Sequence, residues 1–158
     1  MNATRKLLIV MAIALAGSAS ANDSRYQPVP QLQGVWFTQI EIRDCVSGNK
    51  LAGPFPGIIS FQAGGTIGET GPALPNSTRG AGFGLWRRIG RDTFSETLTF
   101  QRFDMTGIYL GTQVIHATPK VAADSMSYVA SGGTFEVKDT HGTAIGSGCS
   151  YATATRLQ

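Results

Sequence analysis

One alternating stretch near the middle of the chain combines charged and large apolar side chains on a single face. In Thr93–Phe103, every second residue falls on the same side of an extended strand. One such set is Phe94, Glu96, Leu98, Phe100 and Arg102. Charged groups on a buried face are unfavourable unless paired or wet, so Glu96 and Arg102 would supply the polar contacts of an otherwise apolar ligand pocket. The alternative is that this face points outward, or that Arg102 reaches the rim.

The other reactive side chains do not form a catalytic or metal-binding pattern. His116 and His141 are the two histidines, and neither has a His-x-Glu or paired-His spacing. No Ser/His arrangement is legible. The glycines at 80, 82 and 84 precede a predicted strand rather than a helix amino terminus, which removes the physical basis for phosphate binding. The sequence therefore predicts no metal and no cofactor, and it favours a binding protein over an enzyme.

Residues 1–21 have the organisation of a cleaved secretory signal peptide. Arg5 and Lys6 form a positive segment, Leu7–Ala16 is an apolar run, and Ala19-Ser-Ala21 fits a small-x-small cleavage site. The run is too short to cross a bilayer as a stable helix, and no later stretch has roughly 18 consecutive apolar residues. An uncleaved amphipathic anchor is the alternative. We expect a secreted or periplasmic protein without a stable membrane span.

Composition and charge exclude one class of partner and favour one class of fold. Without Arg5 and Lys6, the 13 Lys and Arg residues fall to 11 against 10 Asp and Glu, a net charge of +1. A near-neutral chain lacks the basic face that is the first sign of nucleic-acid binding. The 20 glycines favour short strands joined by glycine turns. The length suits one domain over residues 34–158, after an extended lead-in at 22–33.

Cys45 and Cys149 are the two cysteines of the chain. An even pair in an exported protein is typical of a structural disulfide. It would close a loop of about 100 residues, for which the chain-entropy model gives a stabilisation of roughly 4–5 kcal/mol. The alternative is a reactive thiol or a metal ligand, but neither cysteine has a His or Cys partner nearby in the sequence. We therefore predict a Cys45–Cys149 disulfide.

The segments of alternating polarity, separated by glycine turns, predict eight strands and no helix. The first of them carries Trp36, Thr38 and Ile40 on one face. Glycine and proline predict loops at Ser47–Gly57 and Gly71–Gly82. The predicted strands are Val35–Asp44, Ile58–Phe61, Thr66–Thr70, Phe83–Ile89, Thr93–Phe103, Ile108–Val121, Met126–Val137 and Ala144–Leu157.

Eight strands joined in order by short turns predict an up-and-down antiparallel sheet, which best removes its edges by closing into a barrel. In such a barrel the first strand is antiparallel to the last, so the end of one lies near the beginning of the other. Cys45 ends the first predicted strand and Cys149 is early in the last. The disulfide would pin the closing seam. The predicted fold class is all-β, an eight-stranded up-and-down antiparallel barrel.

The two ends of the chain carry a resemblance to a known family. Gly34-Val-Trp36 resembles the Gly-x-Trp motif that opens lipocalins and other calycins, and Arg156 stands where lipocalins place an arginine that packs across that tryptophan. The family's aspartate-containing turn in the middle of the chain has no clear match. The resemblance implies a lipocalin-like barrel of a bacterial exported type. It also implies structural roles for Gly34, Trp36 and Arg156 and a cup for a small apolar molecule.

The sequence leaves three functional hypotheses. The first is a binding protein whose cup holds a small hydrophobic molecule, with contacts from Ile40, Phe94, Glu96, Leu98, Phe100 and Arg102. The second is a protein-binding module of the same shape, such as a periplasmic protease inhibitor, which would contact its protein partner through residues 22–33 or 71–82. The third is a barrel isomerase of allene-oxide-cyclase type, with Glu96 as its polar catalytic group.

Overall fold

The fold is built from β-strands in the part of the chain that the computed structural model describes, namely Val29 and residues 31–71 and 78–158. The predicted signal peptide and most of the predicted lead-in lie outside these residues. No helix of the described part is long and apolar enough to cross a membrane. The strands of this part are β1 (Gly34–Arg43), β2 (Lys50–Phe61), β3 (Thr66–Thr70), β4 (Thr78–Arg88), β5 (Phe94–Phe103), β6 (Tyr109–Ala117), β7 (Pro119–Val121), β8 (Ser127–Lys138) and β9 (Ala144–Arg156).

The sheet closes on itself through antiparallel pairs. Neighbour order follows the chain from β1 to β6, while β9 lies on the other side of β1 and next to β8. The short strand β7 shares one position of the barrel with β6, because β8 pairs with β6 at one end and with β7 at the other. The described residues therefore form a closed eight-stranded up-and-down antiparallel barrel. This confirms the all-β class and the topology predicted from the sequence.

Alternation of polarity decides which side chains enter the barrel. On β1, Trp36 and Thr38 are buried while Phe37 is exposed. On β5, the face that begins at Phe94 and ends at Arg102 points inward. Both strands keep the period of two that their sequences show, since each has one packed and one solvated face.

Two strands begin earlier than the sequence suggests. The loop predicted at Ser47–Gly57 is wrong, because β2 already begins at Lys50. Its first half pairs with β1 alone among the described strands, and a segment with a single neighbour tolerates the missing N–H groups of Pro54 and Pro56. The loop predicted at Gly71–Gly82 is also too long, because β4 begins at Thr78.

Two irregularities interrupt the regular strands of the barrel. The sixth predicted strand is divided between β6 and β7, and the second piece begins at Pro119. On β8 the register with β9 shifts between Ala130 and Gly133, where two glycines stand in sequence at 132 and 133. Such bulges add one residue to one strand and change which side chains point inward beyond it.

One end of the barrel, which we call the floor, is filled with aromatic side chains. Trp36, Phe61 and Phe94 have almost no exposed surface, and Tyr128 is buried beside them. The rings of Trp36 and Tyr128 meet edge to face at 5.0 Å between centroids, and Phe61 meets Trp86 in the same way at 6.0 Å. These contacts close the floor to solvent, and the rings belong to a hydrophobic core that also includes buried aliphatic side chains.

Arg156 covers the floor from outside. Its guanidinium lies 4.2 Å from the centre of the Trp36 ring and donates hydrogen bonds to the backbone oxygens of Gln31, Gln33 and Ser125. Gly34 leaves room for this group, because a Cβ at that position would lie 2.2 Å from Arg156 Nη1. The Gly34-x-Trp36 pattern and Arg156 therefore form a single packing unit.

The opposite end, which we call the mouth, carries the disulfide. Cys45 and Cys149 are bonded, with their Cα atoms 5.2 Å apart. Cys149 pairs with Arg43 in the ladder between β1 and β9, so the bond links the first and last strands at the seam. This confirms the predicted disulfide and its place in the barrel.

Replacing Arg156 with lysine is expected to lower the free energy of unfolding by about 1–2 kcal/mol, because an ammonium cannot serve three diverging carbonyls and cover a ring at the same time. Chemical denaturation measures the change. The matched control is Arg87→Lys on the exposed surface of β4, for which we expect no shift of the unfolding midpoint. Equal midpoints for the two variants would contradict the role given to Arg156.

Candidate functional site

Two adjoining chambers lie inside the barrel between the floor and the mouth. The upper chamber has a cavity volume of about 80 Å³, and the lower chamber has a cavity volume of about 50 Å³. Three residues line both, namely Ile40, Ile115 and Ser150. The upper walls are mainly apolar, with side chains from Ile42, Phe55, Phe100 and Phe135 and polar groups from Thr78, Arg79, Arg102 and Gln113.

The residues singled out in the sequence distribute over these chambers. Glu96 and Leu98 line the lower chamber, Phe100 and Arg102 line the upper chamber, and Ile40 lines both. Phe94 lies apart from them, because it packs in the floor with its ring centroid 5.8 Å from that of Trp86. Trp36 and Arg156 likewise lie in and over the floor, away from both chambers.

A buried ion pair between Glu69 and Arg79 separates the chambers on one side. Glu69 is 5% exposed and receives a hydrogen bond from Arg79 Nη2. The guanidinium also lies over the Phe100 ring, 3.5 Å from its centre. Arg79 faces inward because β4 shifts register against β5 between Arg79 and Gly82. The bulge reverses the alternation of the strand and turns the arginine toward the interior.

Two glycines make room for this ion pair, and a third makes room for the Thr38 hydroxyl beside it. A Cβ at Gly82 would lie 2.7 Å from Glu69 Oε2, and a Cβ at Gly71 would lie 2.6 Å from Arg79 Nη1. A Cβ at Gly57 would lie 2.8 Å from Thr38 Oγ1. Side chains at Gly71 and Gly82 would displace the charged groups, and a side chain at Gly57 would displace the Thr38 hydroxyl.

Three buried polar atoms facing the lower chamber have no hydrogen-bond partner among the described residues. They are Thr38 Oγ1, Glu69 Oε1 and Glu96 Oε2, and we call them the polar trio. Buried polar groups in proteins are nearly always paired, and each one left unpaired destabilises the fold by about 1–3 kcal/mol. The polar trio therefore lowers the stability of the fold, and its location makes the lower chamber a candidate binding site.

Burial sets the ionisation of the groups around the lower chamber. Desolvation, with a smaller contribution from the charge of Glu69, raises the pKa of Glu96 from 4.5 to about 7. Burial also raises the pKa of Glu69, although the charge and hydrogen bond of Arg79 oppose that shift. The Tyr128 hydroxyl has a pKa well above its usual value because of burial and the two nearby carboxyls. Near neutral pH, Glu96 thus exchanges readily between its acid and its carboxylate.

Three polar residues of this site, Thr38, Glu69 and Arg79, are not predicted from the sequence. Glu69 shares one face of a short strand with Ile67, which is the same signal that indicates Glu96. Alternation places Thr38 on the inward face between Trp36 and Ile40, but a single threonine there does not by itself indicate a polar contact. Arg79 was hidden by the predicted loop, since a bulge set by strand pairing has no clear mark in the sequence.

The histidines take no part in the chambers. His116 lies on the outer face of β6, where its Nδ1 is 3.0 Å from Thr97 Oγ1, and His141 lies in the exposed turn before β9. Among the described residues, no group of three His, Cys, Asp or Glu side chains is arranged to hold a metal ion.

Comparison with known proteins adds no family to this description. No protein-family model matches the sequence, and no curated protein is significantly similar to it. The candidate site therefore stands on its geometry alone.

Replacing Glu96 with glutamine is expected to raise the free energy of unfolding relative to the wild type. This gain is expected to be larger at pH 8 than at pH 4, by up to about 3 kcal/mol. The folded-state pKa of Glu96 is raised above its ordinary value, so its favourable contribution is present below about pH 4.5 and is lost as the pH rises through about 7. The glutamine variant does not ionise and escapes this loss. Denaturant unfolding across the pH range measures the difference.

The matched control is Glu136→Gln on β8, whose side chain is 42% exposed. That variant is expected to show no gain in stability between pH 4 and pH 8. A Glu96→Gln variant that follows the control, or that loses stability as the pH rises, would contradict the burial of the Glu96 carboxyl.

Proposed function

We propose that this protein is an exported binding protein that holds a small, largely apolar molecule inside a lipocalin-like barrel. The observation that carries the proposal is the pair of adjoining chambers, with mostly apolar walls above and a few buried polar groups below. Ligand pockets commonly have this composition, in which apolar walls give affinity and a few polar groups fix orientation.

The size of the chambers limits the ligand. A water-sized group needs about 10–15 Å³ of such space, so the two chambers together hold about ten groups of this size. A molecule of roughly ten non-hydrogen atoms fits, whereas a long acyl chain would have to project through the mouth. The proposal is therefore a small compact ligand.

The leader and the disulfide support export. The apolar segment with its small-x-small site belongs to residues 1–21, and the Cys45–Cys149 bond is compatible with an oxidising compartment. The presence of chambers also favours ligand binding over a protease inhibitor of the same shape, because a module of that kind has no need of a hollow interior.

An acid–base isomerase is a second candidate, favoured by one observation. Glu96 faces a cavity, has a buried unpaired oxygen and has a pKa of about 7. A carboxyl with those properties can both take and give a proton near neutral pH. If the bound molecule is converted, Glu96→Gln should abolish turnover while binding persists, and unchanged turnover would remove this candidate.

The binding proposal is tested with 2-phenylethanol, a neutral compound of about the size that the chambers hold. Titration of isotopically labelled protein is expected to give saturable amide shifts at residues lining the chambers, with a dissociation constant on the order of 1 mM or tighter. Absence of saturable shifts in the folded wild-type protein would contradict the proposal.

A cavity-filling variant locates the binding. Ser150 lines both chambers, so Ser150→Leu is expected to weaken binding at least fivefold while circular dichroism retains the β signature. Ser147→Leu introduces the same side chain at an exposed position of the same strand and is expected to bind as the wild type does. Equal binding by both variants would place the ligand outside the chambers.

A further inference from the structure

The polar trio indicates the chemical class of the ligand as well as the place where it binds. Each of its three oxygens can accept a hydrogen bond, and two of the three belong to carboxyl groups. We propose that the lower chamber binds the ammonium group of a small amphiphilic amine, whose apolar part lies in the upper chamber. This inference rests on the proposed binding function and specifies the chemical class of its ligand.

The donors of a primary ammonium match the trio. An ammonium group has three N–H donors and no acceptor, so it can give one hydrogen bond to each of Thr38 Oγ1, Glu69 Oε1 and Glu96 Oε2. A ligand hydroxyl supplies one donor. A ligand carbonyl or carboxylate supplies only acceptors. It would leave the Glu69 oxygen without a donor, and the negative charge of Glu69 would repel it.

The members of the trio converge on one region. Thr38 Oγ1 and Glu69 Oε1 lie 2.8 Å and 3.5 Å from the position that a Cβ of Gly57 would occupy, so they flank a common point. Glu96 faces the same chamber from β5, and the charge of Glu69 contributes to its raised pKa. The three side chains thus line one small chamber of about 50 Å³, where the proposed ammonium would contact all of them.

Charge balance favours a cation at this place. Arg79 already compensates Glu69 through their ion pair, and it is held over Phe100. No cationic side chain of the described residues pairs with Glu96. Ionised Glu96 is therefore a buried carboxylate without a counter-charge, an unfavourable state that a bound ammonium would relieve.

The titratable and charged groups facing Glu96 allow the pH dependence to be derived. They are Glu69 on β3 and Tyr128 on β8, while the residues of β1, β2, β6 and β9 that line the lower chamber do not titrate. Arg79 on β4 lines the upper chamber and pairs with Glu69. An amine binds best to ionised Glu96, so below pH 7 its binding must release the proton of Glu96. Affinity for an amine should then rise about tenfold per pH unit up to about pH 7 and level off above it.

The experiment compares three compounds that share a phenyl ring on a short alkyl chain, namely 2-phenylethylamine, 2-phenylethanol and 3-phenylpropionate. Calorimetric titration of the full folded protein at pH 8 is expected to give at least tenfold tighter binding of the amine than of the alcohol. Below pH 7, buffers of different ionisation enthalpy should reveal the release of about one proton per bound amine.

Variants separate the ammonium contact from the apolar contacts. Glu96→Gln is expected to remove the preference for the amine and its pH dependence while 2-phenylethanol still binds. Thr38→Val provides a second, uncharged change in the trio and should reduce the preference severalfold. Glu136→Gln, the exposed control, should bind all three compounds as the wild type does.

The possible results distinguish this inference from the proposed function. Binding of the alcohol without a preference for the amine would overturn the inference and leave the binding function standing. Tightest binding of 3-phenylpropionate would overturn it in favour of an anion held by Arg79 and Arg102. Binding of none of the three compounds would overturn the proposed function together with the inference.

Discussion

A closed barrel of eight strands encloses an interior that side chains must fill, and in this protein they fill it unevenly. Bulky rings pack the floor, from Trp36 on the first strand to Tyr128 near the last. Toward the mouth, the inward side chains leave two chambers of about 80 and 50 Å³. An eight-stranded barrel can be solid or hold one small ligand. This one is solid at one end and hollow toward the other.

Between the floor and the mouth lie the ion pair of Glu69 with Arg79 and the unpaired carboxyl of Glu96. Their arrangement depends on a strand bulge and on glycines. A bulge in β4 turns Arg79 inward, and glycines at 71 and 82 leave room for its pairing with Glu69. Because that pair is complete, Glu96 has no cationic partner in the described residues and keeps a buried, unpaired oxygen. The proposed binding function and the proposed amine specificity both rest on the unpaired Glu96 carboxyl.

The sequence predicted the features that depend on alternation and failed where strand pairing decides. The inward faces of β1 and β5 follow from a period of two, and the Cys45–Cys149 bond follows from the antiparallel meeting of first and last strands. The early start of β2 could not be read, because proline and glycine suggest a loop unless the neighbouring strand is known. Arg79 was missed for the same reason, since only the register with β5 shows the bulge.

The central claim is that the Glu96 carboxyl is buried in a chamber without a partner. Carbon-13 NMR of the glutamate side chains, recorded across the pH range and assigned with the Glu96→Gln variant, tests it most directly. The predicted result is a Glu96 carboxyl that titrates near pH 7, well above its ordinary value of 4.5. A Glu96 carboxyl that titrates at its ordinary value would show that it is solvated or paired, and would contradict the account.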